Sequence, residues 1–520
     1  MNRLKLIQNL ETGEKWDVVI IGGGATGLGI AMDTATRGYK TLLVEQADFA
    51  KGTSSKATKL VHGGVRYMAQ GDLGLVREAC HERGLLLKNA PHLTKNETFV
   101  IPNYSWFDNV KYTIGLKFYD LLAGKLSLGA SKYINKEKTI AALPSIKREG
   151  LKGGVVYHDG QFDDTRLALN IAQTAIENGA TVLNYMKVEG LLKDSNKKVN
   201  GVKVKDTETG KTYDVLGKVV INATGVYVDN ILQMDRPEAP HMVRPSQGVH
   251  ITLDRSFMEG DNALMIPETD DGRVLFAVPW HDKLIVGTTD TLRDHPELEP
   301  QALDQEIEFI LSTAAKYFRK KPTRADVLAV FAGLRPLAAP KQEGSKTKEI
   351  SRSHKIIVSD SAMITITGGK WTTFRRMAQD TVDKAIEKGY LPAKPCKTEQ
   401  LHIHGYVASP DKADPLHFYG TDLAGIQKLI QENPPLQERL VPAYPYTKAM
   451  VVWAVRNEYA RRVEDVVGRR FRLLFLDVKA AIEAAPEVAR IIAEELNRDQ
   501  AWVEKEVEEF KTLAKTYTIF

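Results

Sequence analysis

The stretch "WDVVIIGGGATGLGIAMDTATRGYKTLLVEQ", residues 16–46, reads as strand, tight turn, helix and strand. Residues 18–21 are an unbroken apolar, β-branched run, the texture of a strand covered on both faces. Gly22, Gly24 and Gly27 follow in GxGxxG spacing. The first glycine permits the tight turn, the second lets the backbone approach a pyrophosphate, and the third allows close helix–strand packing. Residues 28–36 are helical and rich in small side chains, with Gly38 as the stop. The start of that helix presents unpaired N–H groups and a positive dipole end to phosphates. "TLLVE" is the next buried strand, closed by Glu45. A carboxylate there accepts hydrogen bonds from a ribose 2′-hydroxyl and repels a 2′-phosphate. A glycine turn kept only for packing would account for the glycines but not for Glu45. The stretch therefore predicts a dinucleotide-binding βαβ unit.

Outward from it, the chain alternates in texture. Residues 105–125 are apolar and aromatic with interspersed lysines, suited either to a membrane interface or to a packed amphipathic helix, and residues 163–178 have helical periodicity, with Asp163 or Asp164 as cap and Gly179 as stop. "ATVLNYMKVEGLLKD", "VNGVKVKDTETGKTYDV" and "KVVINATG" read as strands, with "DTETGK" as a hairpin turn. "GVHITL", "RVLFAVPW" and "KLIVGTTD" have the look of an antiparallel sheet. Buried-strand texture returns in "KIIVSD" and "MITITGGK", followed by a helix that stops at Gly389. That helix start offers N–H donors and a positive end, suited to the electron-rich edge of a reduced flavin. "YLPAKPCK" breaks the pattern, and beyond residue 398 the chain is helical. A nucleotide fingerprint completed by a strand–helix unit so far along the chain implies a split domain with another inserted in it.

Bulk properties narrow the function. Lys and Arg number 71 against 66 Asp and Glu, a net charge of +5 over 520 residues. This is too dilute for a nucleic-acid-binding face, and no nucleic-acid partner is expected. It leaves room for an anionic substrate or an acidic membrane surface. Cys80 and Cys396 lie far apart, which argues against a disulfide framework or a metal centre and suits a reducing compartment. The acidic residues Glu11 and Glu14 argue against a targeting segment, and no apolar run is long enough to span a membrane. Any membrane contact is expected to be peripheral.

Eight stretches carry a resemblance: "IIGGGATGLGIA", "TSSKATKLVHGGVRYM", "NAPHL", "DDTRLALN", "NATG", "VPWHDKLIVGTTD", "GLRPL" and "GGKWTTFRR". Through residues 16–377, and less sharply beyond, the chain resembles the FAD-dependent glycerol-3-phosphate dehydrogenases. These belong to the wider group of D-amino-acid oxidase and glycine oxidase flavoproteins. The resemblance implies an α/β fold with a split Rossmann-like FAD-binding domain, in segments of about 16–90, 150–235 and 355–390. An inserted α+β substrate domain built on an antiparallel sheet takes about 91–149 and 236–354. Together these form a core of 16–397, followed by a C-terminal helical domain of 398–520. The implied reaction is hydride transfer from C2 of sn-glycerol 3-phosphate to FAD, giving dihydroxyacetone phosphate. A membrane quinone is the usual acceptor. An oxidase using oxygen, an amino-acid oxidase-like enzyme and a non-catalytic flavoprotein docking on membranes or partners stay open at this point. The implied location is cytoplasmic, on the inner face of the cell membrane, with room for a homodimer.

For FAD the resemblance carries over Gly22, Gly24, Gly27, Glu45, Ser54, Ser55, Lys59, His62, Val188, Gly369 and Thr372. A phosphorylated polyol must be held by cations, and the planar fork of arginine bonds two phosphate oxygens at once. Substrate candidates are Arg66, Tyr67, His250, Arg335, Arg352 and Lys370, with Arg335 and Lys370 foremost by family position. His250 is the first candidate for general base, although a hydrogen-bonded core histidine would look the same. Arg335 could polarise the hydroxyl instead. The arginines at 456, 461, 462, 469, 470 and 472 could face anionic lipid, but mixed with Glu464 and Asp465 they read by default as a solvated, salt-bridged helix face.

Overall fold

The Trp16–Ile21 strand lies at the centre of a mostly parallel sheet in the computed structural model. That model describes residues 3–11, 13–65, 68, 71–269, 272–338 and 353–519. Strands Thr41–Val44 and Thr212–Asn222 flank it on either side, both parallel to it. Thr181–Leu183 extends one edge and Ile364–Thr367 the other. Ile364 pairs with Ile221, so the distant strand completes the nucleotide sheet as a split domain requires. Lys355–Val358 closes that edge in antiparallel fashion. The central strand is buried almost throughout, as expected for a parallel sheet covered on both faces. The Ala25–Thr36 helix packs between the Asp164–Glu177 and Phe374–Glu387 helices.

The second sheet is mainly antiparallel and has ten strands among the described residues. Val243–Asp254 pairs with Ala329–Ala338 along most of its length and with Lys283–Gly287 on the other side. The sheet also takes in Gly153–Phe162, which pairs in full with Thr94–Asn103. This moves a boundary, because residues from about 150 were expected in the cofactor segment. Local texture marks a buried strand but does not name its partner, and this partner is distant in sequence. Leu60–Val61 pairs with Gly160 and Gln161, so the chain crosses from the first sheet to the second just before His62.

Past residue 398 the chain is helical, with main helices Leu423–Glu432, Lys448–Asn457, Val478–Leu496 and Gln500–Lys515. These do not form a separate core. One apolar cluster runs from Ile30 and Leu167 through Met450 and Ile492. The tail also returns to the substrate sheet, where the Val330 amide donates to Tyr517 O at 2.8 Å.

The reading of Arg469, Arg470 and Arg472 as a solvated face is overturned, since all three are buried. Arg469 meets Asp48 at 2.5 Å and Asp465 at 2.7 Å, Arg470 also pairs with Asp48, and Arg472 meets Asp163 at 2.9 Å. Against the desolvation of a buried site, Arg470 and Arg469 hold the Asp48 carboxyl below its usual range. Arg456, Arg461 and Arg462 do pair on or near the surface, with Glu495, Glu208 and Glu509.

Candidate active site

Two cavities meet at the carboxyl ends of the parallel strands. The larger, about 480 Å³, is bounded by the glycine turn, Glu45, Ser54, Val188 and the Gly368–Lys370 turn. A Cβ at Gly27 would fall 1.9 Å from Gly22 O, so the helix can approach the strand only with glycine there. The Glu45 carboxylate accepts the Gly23 amide at 2.6 Å and the Ala47 amide at 2.9 Å. Burial pushes its pKa up, with both amides opposing that shift. Ser54 joins distant segments, because its Oγ accepts the Ala25 amide and its carbonyl accepts the Trp371 indole N–H, each at 2.9 Å.

The smaller cavity, about 220 Å³, shares Thr53, Pro336 and residues 368–371 with the first. Arg335, His250, His62, Lys370 and Thr372 line it. Arg335 rises from the Ala329–Ala338 strand, with its Nη2 donating to Thr288 Oγ1 at 3.0 Å and its Nη1 3.6 Å from Asp290. Gly248 on the adjacent strand makes this possible, since a Cβ there would meet Nη2 at 2.3 Å. His250 is 2% exposed and stacks on Phe331 with ring centroids 5.0 Å apart. Its Nε2 lies 2.9 Å from Thr58 Oγ1, while Nδ1 has no hydrogen-bond partner among the described residues. Burial, then Arg335 and Lys59, hold the imidazole well below the usual histidine range, so it is neutral. The site thus combines a dinucleotide cradle with a small, cation-bearing chamber that holds a neutral histidine.

The FAD dependent oxidoreductase family model matches residues 17–375, and the C-terminal domain of alpha-glycerophosphate oxidase matches residues 359–503. A probable mitochondrial glycerol-3-phosphate dehydrogenase of Caenorhabditis elegans is 41% identical over 98% of this chain and 74% of its own length. The chain belongs to the FAD-dependent glycerol-3-phosphate dehydrogenase family. The mitochondrial enzyme of Bos taurus is 39% identical, over 96% of this chain and 73% of its own length. The solved glycerol-3-phosphate dehydrogenase of Bacillus halodurans, complexed with FAD, superposes with a TM-score of 0.81 at 30% identity, covering 99% of this chain and 97% of that one. An L-alpha-glycerophosphate oxidase from Mycoplasma pneumoniae shares the fold, with a TM-score of 0.59 at 16% identity over 76% of this chain and all of that one.

FAD is the family's cofactor, and the residues present fit it. The glycine turn, the helix start and Glu45 line the larger cavity, and the Gly368–Lys370 turn lies where both cavities join. Gly22, Gly24, Glu45, Ser54, Val188 and Gly369 line that larger space, and Gly27 packs behind the turn. His62 and Thr372 face the smaller one, linked by the His62 amide donating to Thr372 Oγ1 at 3.2 Å.

Ser55 and Lys59 line neither cavity, contrary to the expectation that they touch the cofactor. The Ser55 hydroxyl turns back to Gly52 O, and Lys59 Nζ donates to Asp164 at 2.7 Å in a pair with no solvent exposure. Asp163, not Asp164, caps the Asp164–Glu177 helix. Arg66, Tyr67 and Arg352 lie outside the described residues. Thr58, Thr288 and Asp290 were not singled out, though "GTTD" is among the stretches that carry the resemblance. Their role in orienting His250 and Arg335 depends on cross-strand neighbours that linear spacing does not reveal.

Proposed function

We propose that the protein oxidises sn-glycerol 3-phosphate to dihydroxyacetone phosphate and delivers the electrons to a membrane quinone. The observation that carries this reading is the chamber shared by Arg335, Lys370 and His250, whose wall is continuous with the cofactor cavity. Arg335 and Lys370 bind the phosphate dianion, and Arg66, Tyr67 and Arg352 are proposed to add to that grip. Thr288 and Asp290 fix the Arg335 fork. His250, which lines the chamber and is fixed by Thr58, is the proposed general base for the proton of the C2 hydroxyl. FAD, when bound, accepts the hydride from C2.

The membrane part of the proposal rests on the Trp106–Ala123 helix. Trp106, Phe107, Val110, Ile114 and Leu121 are each at least 59% exposed. At about 100° per residue they fall within one arc of about 100°. Lys111 and Lys117 lie at or beside that arc, the arrangement of an interfacial helix on an anionic surface. No helix among the described residues is long and apolar enough to cross a membrane.

Anaerobic mixing of the oxidised flavoprotein with sn-glycerol 3-phosphate tests the reaction. Prompt bleaching of the flavin is expected. No bleaching, or bleaching by a D-amino acid in its place, would overturn the substrate assignment. Readmitting oxygen or a soluble quinone then identifies the acceptor, and reoxidation by oxygen alone would replace the quinone.

A further inference from the structure

A third cavity of about 630 Å³ lies where the substrate sheet meets the C-terminal helices. None of its lining residues borders the cofactor or substrate cavity. Its size is that of a small-molecule cleft.

Five cations edge it: Lys95, Arg255, Lys283, Lys412 and Arg439. Lys95 is committed to Glu97 at 2.7 Å, and Arg255 lies 3.6 Å from Asp261. Lys283, Lys412 and Arg439 form no ion pair with a carboxylate among the described residues. They donate to the backbone carbonyls of Asp282, Pro91 and Pro442. Each still has further N–H donors. They come from three separate parts of the chain. Lys283 opens the Lys283–Gly287 strand, Lys412 precedes the Leu423–Glu432 helix, and Arg439 precedes the Lys448–Asn457 helix. Partial burial, and to a lesser extent Lys95, push the Lys412 ammonium down to about 8. Of the three lining carboxylates, Asp163 is held by Arg472 and Asp261 lies beside Arg255, which leaves Asp282 to oppose the three other cations.

Part of the remaining wall is aromatic. Trp280, Phe418, Tyr444 and Tyr446 line it, and the two tyrosine rings lie within 4° of parallel. Lys283 already sits 5.4 Å over the Tyr444 ring, and such aromatic side chains beside cations without a carboxylate partner match a ligand that is planar at one end and polyanionic at the other.

We propose that this cavity binds an organic phosphate bearing a planar ring, of the nucleotide class. Lys283, Lys412 and Arg439 hold the phosphates, and the aromatic wall holds the ring.

Calorimetric titration of the oxidised holoenzyme with ATP, tripolyphosphate and adenosine tests this. ATP is expected to bind at one site per chain, with tripolyphosphate and adenosine each at least about tenfold weaker. Lys283→Glu combined with Lys412→Glu should weaken ATP at least about tenfold with FAD content unchanged. Arg439→Glu, on a separate loop, should do the same independently. Arg335→Ala should leave ATP binding intact. The proposal is overturned if ATP does not bind, if tripolyphosphate binds as tightly as ATP, or if the charge-reversed variants bind like the parent. Loss of binding in Arg335→Ala would also overturn it, by assigning the nucleotide to the substrate chamber.

Discussion

Arg335 reaches the substrate chamber across Gly248, where a Cβ would meet its Nη2 at 2.3 Å, and its guanidinium is held by Thr288 and Asp290. A charge-assisted bond to phosphate contributes about 1.5–3 kcal/mol. Arg335→Ala is therefore expected to lower kcat/KM by about 10- to 100-fold while flavin absorbance shows FAD still bound. Normal kinetics in that variant would remove Arg335 from the phosphate site. His250 makes a different prediction. Its removal, as in His250→Asn, should slow anaerobic flavin reduction by about 10²–10⁴-fold. Because burial and Arg335 keep the ring neutral well below its ordinary pKa, the acid limb of the kcat/KM profile should lie clearly below pH 6.5. A limb at or above that pH would mean that another group sets it.

At the scale of elements, Asp163 does two jobs at the start of the Asp164–Glu177 helix. One carboxylate oxygen accepts the Arg166 amide at 3.0 Å, and the other lies 2.9 Å from Arg472 Nε. Although burial opposes ionisation, Arg472 and then His281 hold this carboxyl far below its usual range. Asp163→Asn keeps a competent cap and removes the charge. Arg472 is then buried without its carboxylate, at a cost of about 3–5 kcal/mol. A clear fall in Tm is expected, and an unchanged melt would show that capping alone matters there. The Trp106–Ala123 helix separates binding from catalysis in the same way. Ile114→Asp with Leu121→Asp should reduce cosedimentation with anionic vesicles yet spare turnover with a soluble acceptor. Equal cosedimentation would place the membrane contact elsewhere.

Across the whole molecule, the C-terminal helices are held to the flavin domain by buried charges as well as by apolar packing. His404 links the Asp164–Glu177 helix to the segment before the Leu423–Glu432 helix, 2.5 Å from Glu177 and 3.0 Å from Asp422. Burial lowers its pKa, but Asp422 and Glu177 outweigh that and raise it to about 9. A raised folded-state pKa stabilises fully below the unfolded value near 6.5, and the effect is lost as pH rises through 9. The Tm difference between the parent and His404→Gln should thus be largest below pH 6.5 and shrink toward pH 9. A difference independent of pH would mean that packing, not charge, makes this joint.

The amino-acid sequence by itself determined whatever local spacing controls. The glycine turn with Glu45, the Asp163 cap, the Gly38, Gly179 and Gly389 stops and the split nucleotide domain all follow from contacts within a few residues or from strand texture. Arg335, His250 and Lys370 were also legible, because distinctive short motifs carry them to one chamber. Tertiary structure decided the fate of the remaining charges. Lys59 was expected at the flavin and Arg469, Arg470 and Arg472 in solvent, yet all four are buried against carboxylates distant in sequence. A charge is stable in the interior only where a partner offsets its desolvation, and that partner is chosen by the fold rather than by the neighbouring residues. The same reason hid the sheet partner of Gly153–Phe162 and the cationic third cavity, whose walls come together from well-separated parts of the chain.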